Sequence, residues 1–234
     1  MWYPGNCGIE NLTGGPVEPI AVACESVGIV WMSRRPAHLN RVVSTSREEH
    51  SRRKVPRMSS GLHMSAGDAL GLYDLFEGEG ITVWIDGGWA VDALLGEQTR
   101  SHADLDIALE TRFLARLRGV LAERGYQQIP RDDTRPWNFV LGNGAGLEVD
   151  VHAFTFDENG DGVYGPPANG DYYRADALTG EGVIEGRPVR CISPKWLVRF
   201  HTGYELKETD FHDVIALCER FGIELPEEYR GGPP

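Results

Sequence analysis

The sequence predicts an α/β or α+β core with a helical C-terminal extension. Three observations predict it. From Ser65 onward, short apolar runs of strand character alternate with stretches of period 3.6. Two strand-like runs, 137–141 and 147–154, flank Asn143-Gly144-Ala145-Gly146, a hairpin signal. Beyond residue 193 the pattern is helical only.

The elements follow in order. Residues 65–78 read as a helix with Ser65 as N-cap and Leu70, Tyr73, Leu75 and Phe76 as its apolar stripe. Residues 81–86 read as a buried strand, Gly87-Gly88 as a sharp turn, and 89–95 as a short helix ended by Gly96. A second strand covers 105–109. An amphipathic helix covers 111–124, with Phe113, Leu114, Leu117, Val120 and Leu121 on one side and Gly125 after its end. After the hairpin, residues 155–182 are rich in Gly, Asp and Pro and read as a long loop, and 183–189 as a short hairpin. Residues 193–207 and 210–221 read as helices, the second capped by Thr209 or Asp210.

The N-terminal stretch differs. Residues 1–63 mix Gly, Pro, Ser and Arg without a sustained period, and are expected to be a largely disordered extension. Met64 opens the first regular pattern and is expected to be the native start; N-terminal sequencing that began at Met1 would contradict this. The expected organisation is an extension over 1–63, a core over 64–192 and a helical part over 193–234.

The net charge of the 234-residue chain is −12, unevenly spread. Residues 1–63 hold 8 Lys/Arg against 5 Asp/Glu, and the remainder 15 against 30, which leaves that remainder at −15. A body so acidic repels nucleic-acid phosphates and suits a divalent metal or a cationic small molecule. The four cysteines, Cys7, Cys24, Cys191 and Cys218, form no CxxC pair, so a zinc site or disulfide framework is not expected. No apolar run approaches the roughly 20 residues that span a bilayer. A cytoplasmic protein without a membrane partner is the expectation.

Three short segments carry the chemistry. In Ile85-Asp86-Gly87-Gly88-Trp89 a strand ends, two glycines follow and a helix begins, which lets backbone amides approach an anion. Alone, this is an ordinary tight turn. Fifteen residues separate Gly88 from Asp104-Leu105-Asp106-Ile107. Positions i and i+2 of a strand share a face, so Asp104 and Asp106 aim two carboxylates at one place, while Leu105 and Ile107 face the core. Paired like charges call for a cation between them, and Mg²⁺ prefers carboxylate and phosphate oxygens. In Glu148-Val149-Asp150-Val151-His152 the polar residues share the other face of a strand, and Asp150 supplies a third carboxylate if that strand neighbours the first. Glu148 and His152 flank it as competitors.

Taken together, strand, Gly-Gly, helix, DxD strand, helix and a strand with a single Asp resemble the nucleotidyltransferase superfamily related to DNA polymerase β. Trp84-Ile85-Asp86-Gly87-Gly88-Trp89-Ala90-Val91-Asp92 and Thr99-Arg100-Ser101-His102-Ala103-Asp104-Leu105-Asp106-Ile107 are similar to its antibiotic branch, which includes aminoglycoside 2''-adenylyltransferases and small lincosamide nucleotidyltransferases. Cys191-Ile192-Ser193 and the run from Phe200 through His201-Thr202-Gly203-Tyr204 to Asp210 are similar to the lincosamide enzymes in particular. The resemblance runs from about Asp68 to Leu217 and leaves residues 1–63 outside.

The resemblance implies an α+β nucleotidyltransferase fold, a mixed sheet flanked by helices with a small helical C-terminal part. It implies Mg²⁺ on Asp104 and Asp106, with Asp150 as catalytic base, metal ligand or both. The amides of Gly87 and Gly88 would hold the triphosphate of ATP or another nucleoside triphosphate. Arg100 and His102 either reach the phosphates or are ordinary loop residues. The implied acceptor is a small-molecule antibiotic: a lincosamide first, an aminoglycoside second. A protein-modifying nucleotidyltransferase of a toxin–antitoxin pair and a nucleotide-binding module with a dead site are the readings from other classes. No nucleic-acid partner is expected, and a homodimer is left open. Asp157-Glu158-Asn159-Gly160-Asp161-Gly162 begins like a calcium loop, but Ala168 stands where a bidentate Glu is needed. Trp89 and Trp137 are read as core residues, with a place in a substrate pocket as the alternative.

Overall fold

A computed structural model of the chain describes residues 63–232. The expected extension over 1–63 therefore lies outside the described residues except at His63.

The first helix, α1 (Ala66–Gly78), starts where Ser65 and Asp68 cap each other: Ser65 Oγ accepts from the Asp68 amide at 3.1 Å, and the Asp68 carboxylate accepts from the Ser65 amide at 3.1 Å. Next come β1 (Val83–Ile85), α2 (Gly87–Leu95), β2 (Asp104–Glu110), a 3₁₀ turn running into α3 (Leu114–Ala122), β3 (Gln127–Ile129), β4 (Asn138–Gly142) and β5 (Glu148–Phe156). The chain continues through β6 (Gly162–Tyr164), β7 (Tyr172–Tyr173), β8 (Gly180–Ile184), β9 (Arg187–Cys191), α4 (Pro194–Phe200) and α5 (Glu208–Phe221).

Among the described residues the strands form one mixed sheet in the order β3-β4-β5-β2-β1-β9-β8, with β6 and β7 added beside the far end of β5. β2 runs parallel to β5 and antiparallel to β1, and β1 is parallel to β9. Alternation decides the faces. Leu105, Ile107 and Leu109 of β2, with Val149 and Val151 of β5, are wholly buried and join one contiguous apolar core. Burying each such side chain contributes about 1.5–3 kcal/mol. Asp104, Asp106, Asp150 and His152 occupy the opposite face and are only partly covered. α2 packs against β2 and β8 and also against α4 and α5, so the C-terminal helices brace the helix that follows the glycines.

Four details depart from the sequence reading. The Gly-Gly pair forms the first residues of α2 rather than a separate turn, because Asp86 caps the helix one residue earlier. Residues 155–182 hold β6, β7 and two 3₁₀ turns rather than a loop throughout. Strands of three and two residues are too short to show a period. α4 stops at Phe200 rather than Lys207: the Thr202 hydroxyl takes the Arg199 carbonyl at 2.7 Å, and Gly203 turns the chain at φ 86°. Asp210 serves α5 from its third position, accepting the Lys207 amide at 2.8 Å, so neither it nor Thr209 is the N-cap residue.

Candidate active site

The site is assembled where β1, β2 and β5 present their open face beside the start of α2. Asp86 leaves β1 in extended backbone and caps α2, its Oδ1 accepting from the Gly87 amide at 2.9 Å. Gly87 has φ 55°, a left-handed conformation, and a Cβ there would stand 2.1 Å from Asp106 Oδ2. Only a residue without a side chain lets this backbone lie against that carboxylate. A Cβ on Gly88 would meet Arg100 Nη2 and His102 Nδ1, each at 2.4 Å.

The parallel register of β2 and β5 sets the carboxylates. Asp106 lies opposite Asp150, Asp104 opposite Glu148, and Ala108 opposite His152. One ligand atom from each of Asp106, Asp150 and His152 lies within 4.8 Å of the others. Asp104 stands outside that trio but on the same face, near enough to act on it through charge. Burial, and then Asp104, push the Asp106 carboxyl up to about 7. Burial, and then Asp150, raise Asp104. For His152, burial pulls downward, but Asp150, Asp86 and Asp106 outweigh it and raise the imidazole to about 9.

A divalent cation fits this set of donors. Asp150 Oδ1 is buried without a hydrogen-bond partner, an acceptor left for a positive charge. His152 Nε2 is 3.5 Å from it, a charge contact rather than a good hydrogen bond. Like charges held together at a partly buried site favour a positive ion among them.

A cavity of about 670 Å³ opens beside this cluster. Asp86, Gly87, Asp106 and His152 form one side; Tyr164, Tyr173, Trp196, Phe200, Arg174 and Arg199 form much of the rest. Tyr173 donates its hydroxyl to Asp86 Oδ2 at 2.9 Å and lies 3.0 Å from His152 Nδ1. Tyr164 donates to Asn138 Oδ1 at 2.8 Å. Asp86, Tyr164 and Tyr173 were absent from the sequence reading as site residues. The two tyrosines arrive on strands too short to register, whereas Asp86 had a signal: an acid directly before a helix-opening glycine pair.

Arg100 and His102 are turned inward. Arg100 pairs with Asp213 of α5 through Nε and Nη2, at 2.9 and 2.6 Å. His102 is buried, its Nε2 bonded to Asp92 Oδ2 and its ring 4.6 Å from Trp89. Trp89 is in the core, and Trp137 packs against Gly165 away from the cavity lining. The Asp92–His102 pair ties α2 to the approach of β2. Both side chains are 3% exposed, so His102→Ala strips a buried acid of its imidazole partner and leaves it only the two bonds from Thr99. The expected cost is about 3–5 kcal/mol by urea unfolding. Burial pushes the Asp92 carboxyl up, but the bonds from His102 and Thr99 outweigh it and hold it below its usual value. Its contribution is therefore present above about pH 4 and lost as pH falls below that, so His102→Ala should also move acid unfolding to higher pH.

Among the described residues no helix is long and apolar enough to cross a membrane, and Cys191 and Cys218 are free.

Fold and carboxylate arrangement together are those of a nucleotidyltransferase. The chain belongs to the aminoglycoside-2''-adenylyltransferase family, whose sequence model matches residues 69–217. It is 32% identical over 146 residues to a lincosamide resistance protein of Staphylococcus haemolyticus, a match covering 62% of this chain and 89% of that one. It is 34% identical over 163 residues to a 2''-aminoglycoside nucleotidyltransferase of Escherichia coli, covering 64% and 84%. Among solved structures it is similar to a lincosamide antibiotic adenylyltransferase with lincomycin bound: TM-score 0.59, 29% identity, 66% of this chain and 97% of that one. ANT(2'')-Ia bound to adenylyl-2''-tobramycin shares the fold, with TM-score 0.54, 22% identity, and 71% and 94% covered.

Proposed function

We propose that the protein transfers a nucleoside monophosphate from a nucleoside triphosphate, ATP first among them, to a hydroxyl of a lincosamide antibiotic, with Mg²⁺ as cation. The observation that carries this reading is its likeness in sequence to a lincosamide resistance protein and in fold to a lincosamide antibiotic adenylyltransferase, whose lengths it spans by 89% and 97%. The cavity supports it. Trp196, Phe200 and the two tyrosines offer apolar rings for a drug-sized acceptor.

The roles follow from position. Gly87 and Gly88 open α2, whose dipole favours a triphosphate at its N-terminus, although the Gly87 amide is donated to Asp86 Oδ1 when no nucleotide is bound. The buried Oδ1 of Asp150 belongs to a side chain 29% exposed, so the rest of that carboxylate is open to an incoming hydroxyl. Asp150 takes the hydroxyl proton, the oxygen attacks the α-phosphorus in line, and pyrophosphate leaves. Mg²⁺ held with the phosphates by Asp104 and Asp106 would neutralise charge developing on the phosphate oxygens. Arg100 and His102 act behind the glycines as supports.

The same reaction on an aminoglycoside is the second reading. The −15 charge of residues 64–234 and the 34% identity to aminoglycoside enzymes favour it. Incubation with α-labelled ATP and one drug of each kind tests the proposal. Label on the lincosamide is expected. Label confined to the protein, or to the aminoglycoside, would overturn it.

A further inference from the structure

The run Asp157-Glu158-Asn159-Gly160-Asp161-Gly162 begins like a calcium loop, but its aspartates bond to N–H groups of the chain itself. Asp157 Oδ1 accepts the amides of Asn159 at 2.8 Å and Asp161 at 3.0 Å, which closes the turn between β5 and β6. Asp161 reaches further along the chain. Its Oδ1 accepts the Ala175 amide at 2.7 Å, and its Oδ2 pairs with Arg174 Nη1 at 2.7 Å. Asp161 is 4% exposed, and burial of a carboxylate is tolerated only where such bonds meet it.

The residues it holds stand at a junction. Tyr172, Tyr173 and Arg174 line the cavity just before Ala175, and Trp196 and Phe200 line it from α4. The 3₁₀ turn Ala175–Thr179 joins the two walls: its Ala177 carbonyl accepts the Ser193 amide at 2.8 Å, one residue before α4. The walls meet where the Tyr173 and Phe200 rings stand edge to face, 5.3 Å between centroids. β7 has two residues and pairs with β6 at two positions, too short a ladder to hold its own place. Asp161 lies outside the cavity lining, so it acts on a ligand only through these segments.

We propose that Asp161 is a positioning residue of the acceptor site: by pinning Arg174 and Ala175 it fixes the turn that sets the tyrosine wall against α4, and so fixes the width of the space in which the acceptor binds. This rests on the reading of the cavity as the place of the acceptor. Asp104, Asp106 and Asp150 lie on β2 and β5, whose seven paired positions keep their register without the pin. Asp161 therefore governs acceptor affinity and not the chemical step.

Hydrogen exchange of the full chain without nucleotide or drug tests the placement apart from the antibiotic reading. In Asp161→Ala, amides of residues 172–179 and 193–200 should exchange about tenfold faster, as loss of one hydrogen bond allows, while those of residues 105–109 and 149–151 keep their rates. Asp161→Asn keeps an acceptor for the Ala175 amide and should retain most of the protection. Ala175→Pro deletes the pinned N–H, keeps the ion pair and should loosen the same segments. Ala175 is exposed and opens a 3₁₀ turn behind extended backbone, where proline is tolerated, so this variant serves if Asp161→Ala does not fold. Kinetics then use the drug that takes label. Asp161→Ala and Ala175→Pro should each raise acceptor KM about 10–100-fold, with kcat and the KM for ATP changed by no more than about twofold. Unchanged or uniformly faster exchange in these variants, or a fall in kcat at constant acceptor KM, would overturn the proposal. A protein that labels no drug would overturn the antibiotic reading instead, and the exchange rates would still decide the placement.

Discussion

Asp150→Asn is expected to lower turnover by on the order of 10²–10⁴-fold, the range a positioned general base contributes. The substitution keeps the shape of the side chain. It changes no apolar contact, because Asp150 lies on the open face of β5 and its flanking Val149 and Val151 carry the core packing. Thermal unfolding should stay close to that of the unchanged protein. Nucleotide binding should survive, since the glycine turn and Asp104 are untouched. The expected pattern is thus a collapse of kcat with little change in nucleotide affinity, measured by steady-state kinetics beside equilibrium binding. A folded Asp150→Asn variant that turned over at a near-normal rate would remove this carboxylate from the mechanism.

Gly87→Ala is the second large effect. A side chain at φ 55° costs about 1–2 kcal/mol for an L-residue. That alone would lower Tm by a few degrees in a domain of this size. The greater consequence is local, because the new Cβ would sit 2.1 Å from Asp106 Oδ2. Either the carboxylate swings out of register with Asp150 or the first turn of α2 shifts. Displacement of about 1 Å at a reacting centre is worth roughly 10²-fold in rate, so a loss of at least that order in kcat/KM is expected. Gly96→Ala separates strain from position. Gly96 has φ 80° at the other end of the same helix, with nothing within 4 Å of its Cβ position. It should show a comparable fall in Tm with activity retained. Equal activity losses in the two variants would mean that strain, and not the contact with Asp106, explains the first.

Legibility in the sequence tracked the length of the signal. The period-2 pattern of β2 and β5 is long enough to place Asp104, Asp106, Asp150 and His152 on one face, and the register confirms that these strands are neighbours. The Ser65 cap was readable because it is a local exchange between residues three apart. What could not be read depends on distant partners. Nothing local distinguishes Tyr173 from Tyr172, yet only the hydroxyl of Tyr173 bridges Asp86 and His152. Nothing local announces that Arg100 will pair with an acid 113 positions later in the chain. β3, β6 and β7 are strands of three residues or fewer, stabilised by neighbours rather than by their own propensity. The joining of residues 162–164 and 172–173 to the far end of β5 is what walls the cavity with aromatic rings.

The most direct measurement is mass spectrometry of lincomycin, clindamycin and kanamycin, each incubated with the protein, ATP and Mg²⁺. A mass gain of one AMP on a lincosamide is expected, and it would establish reaction and acceptor together. A gain on kanamycin alone would contradict the acceptor while keeping the chemistry, and no gain on any of the three would contradict the account as a whole.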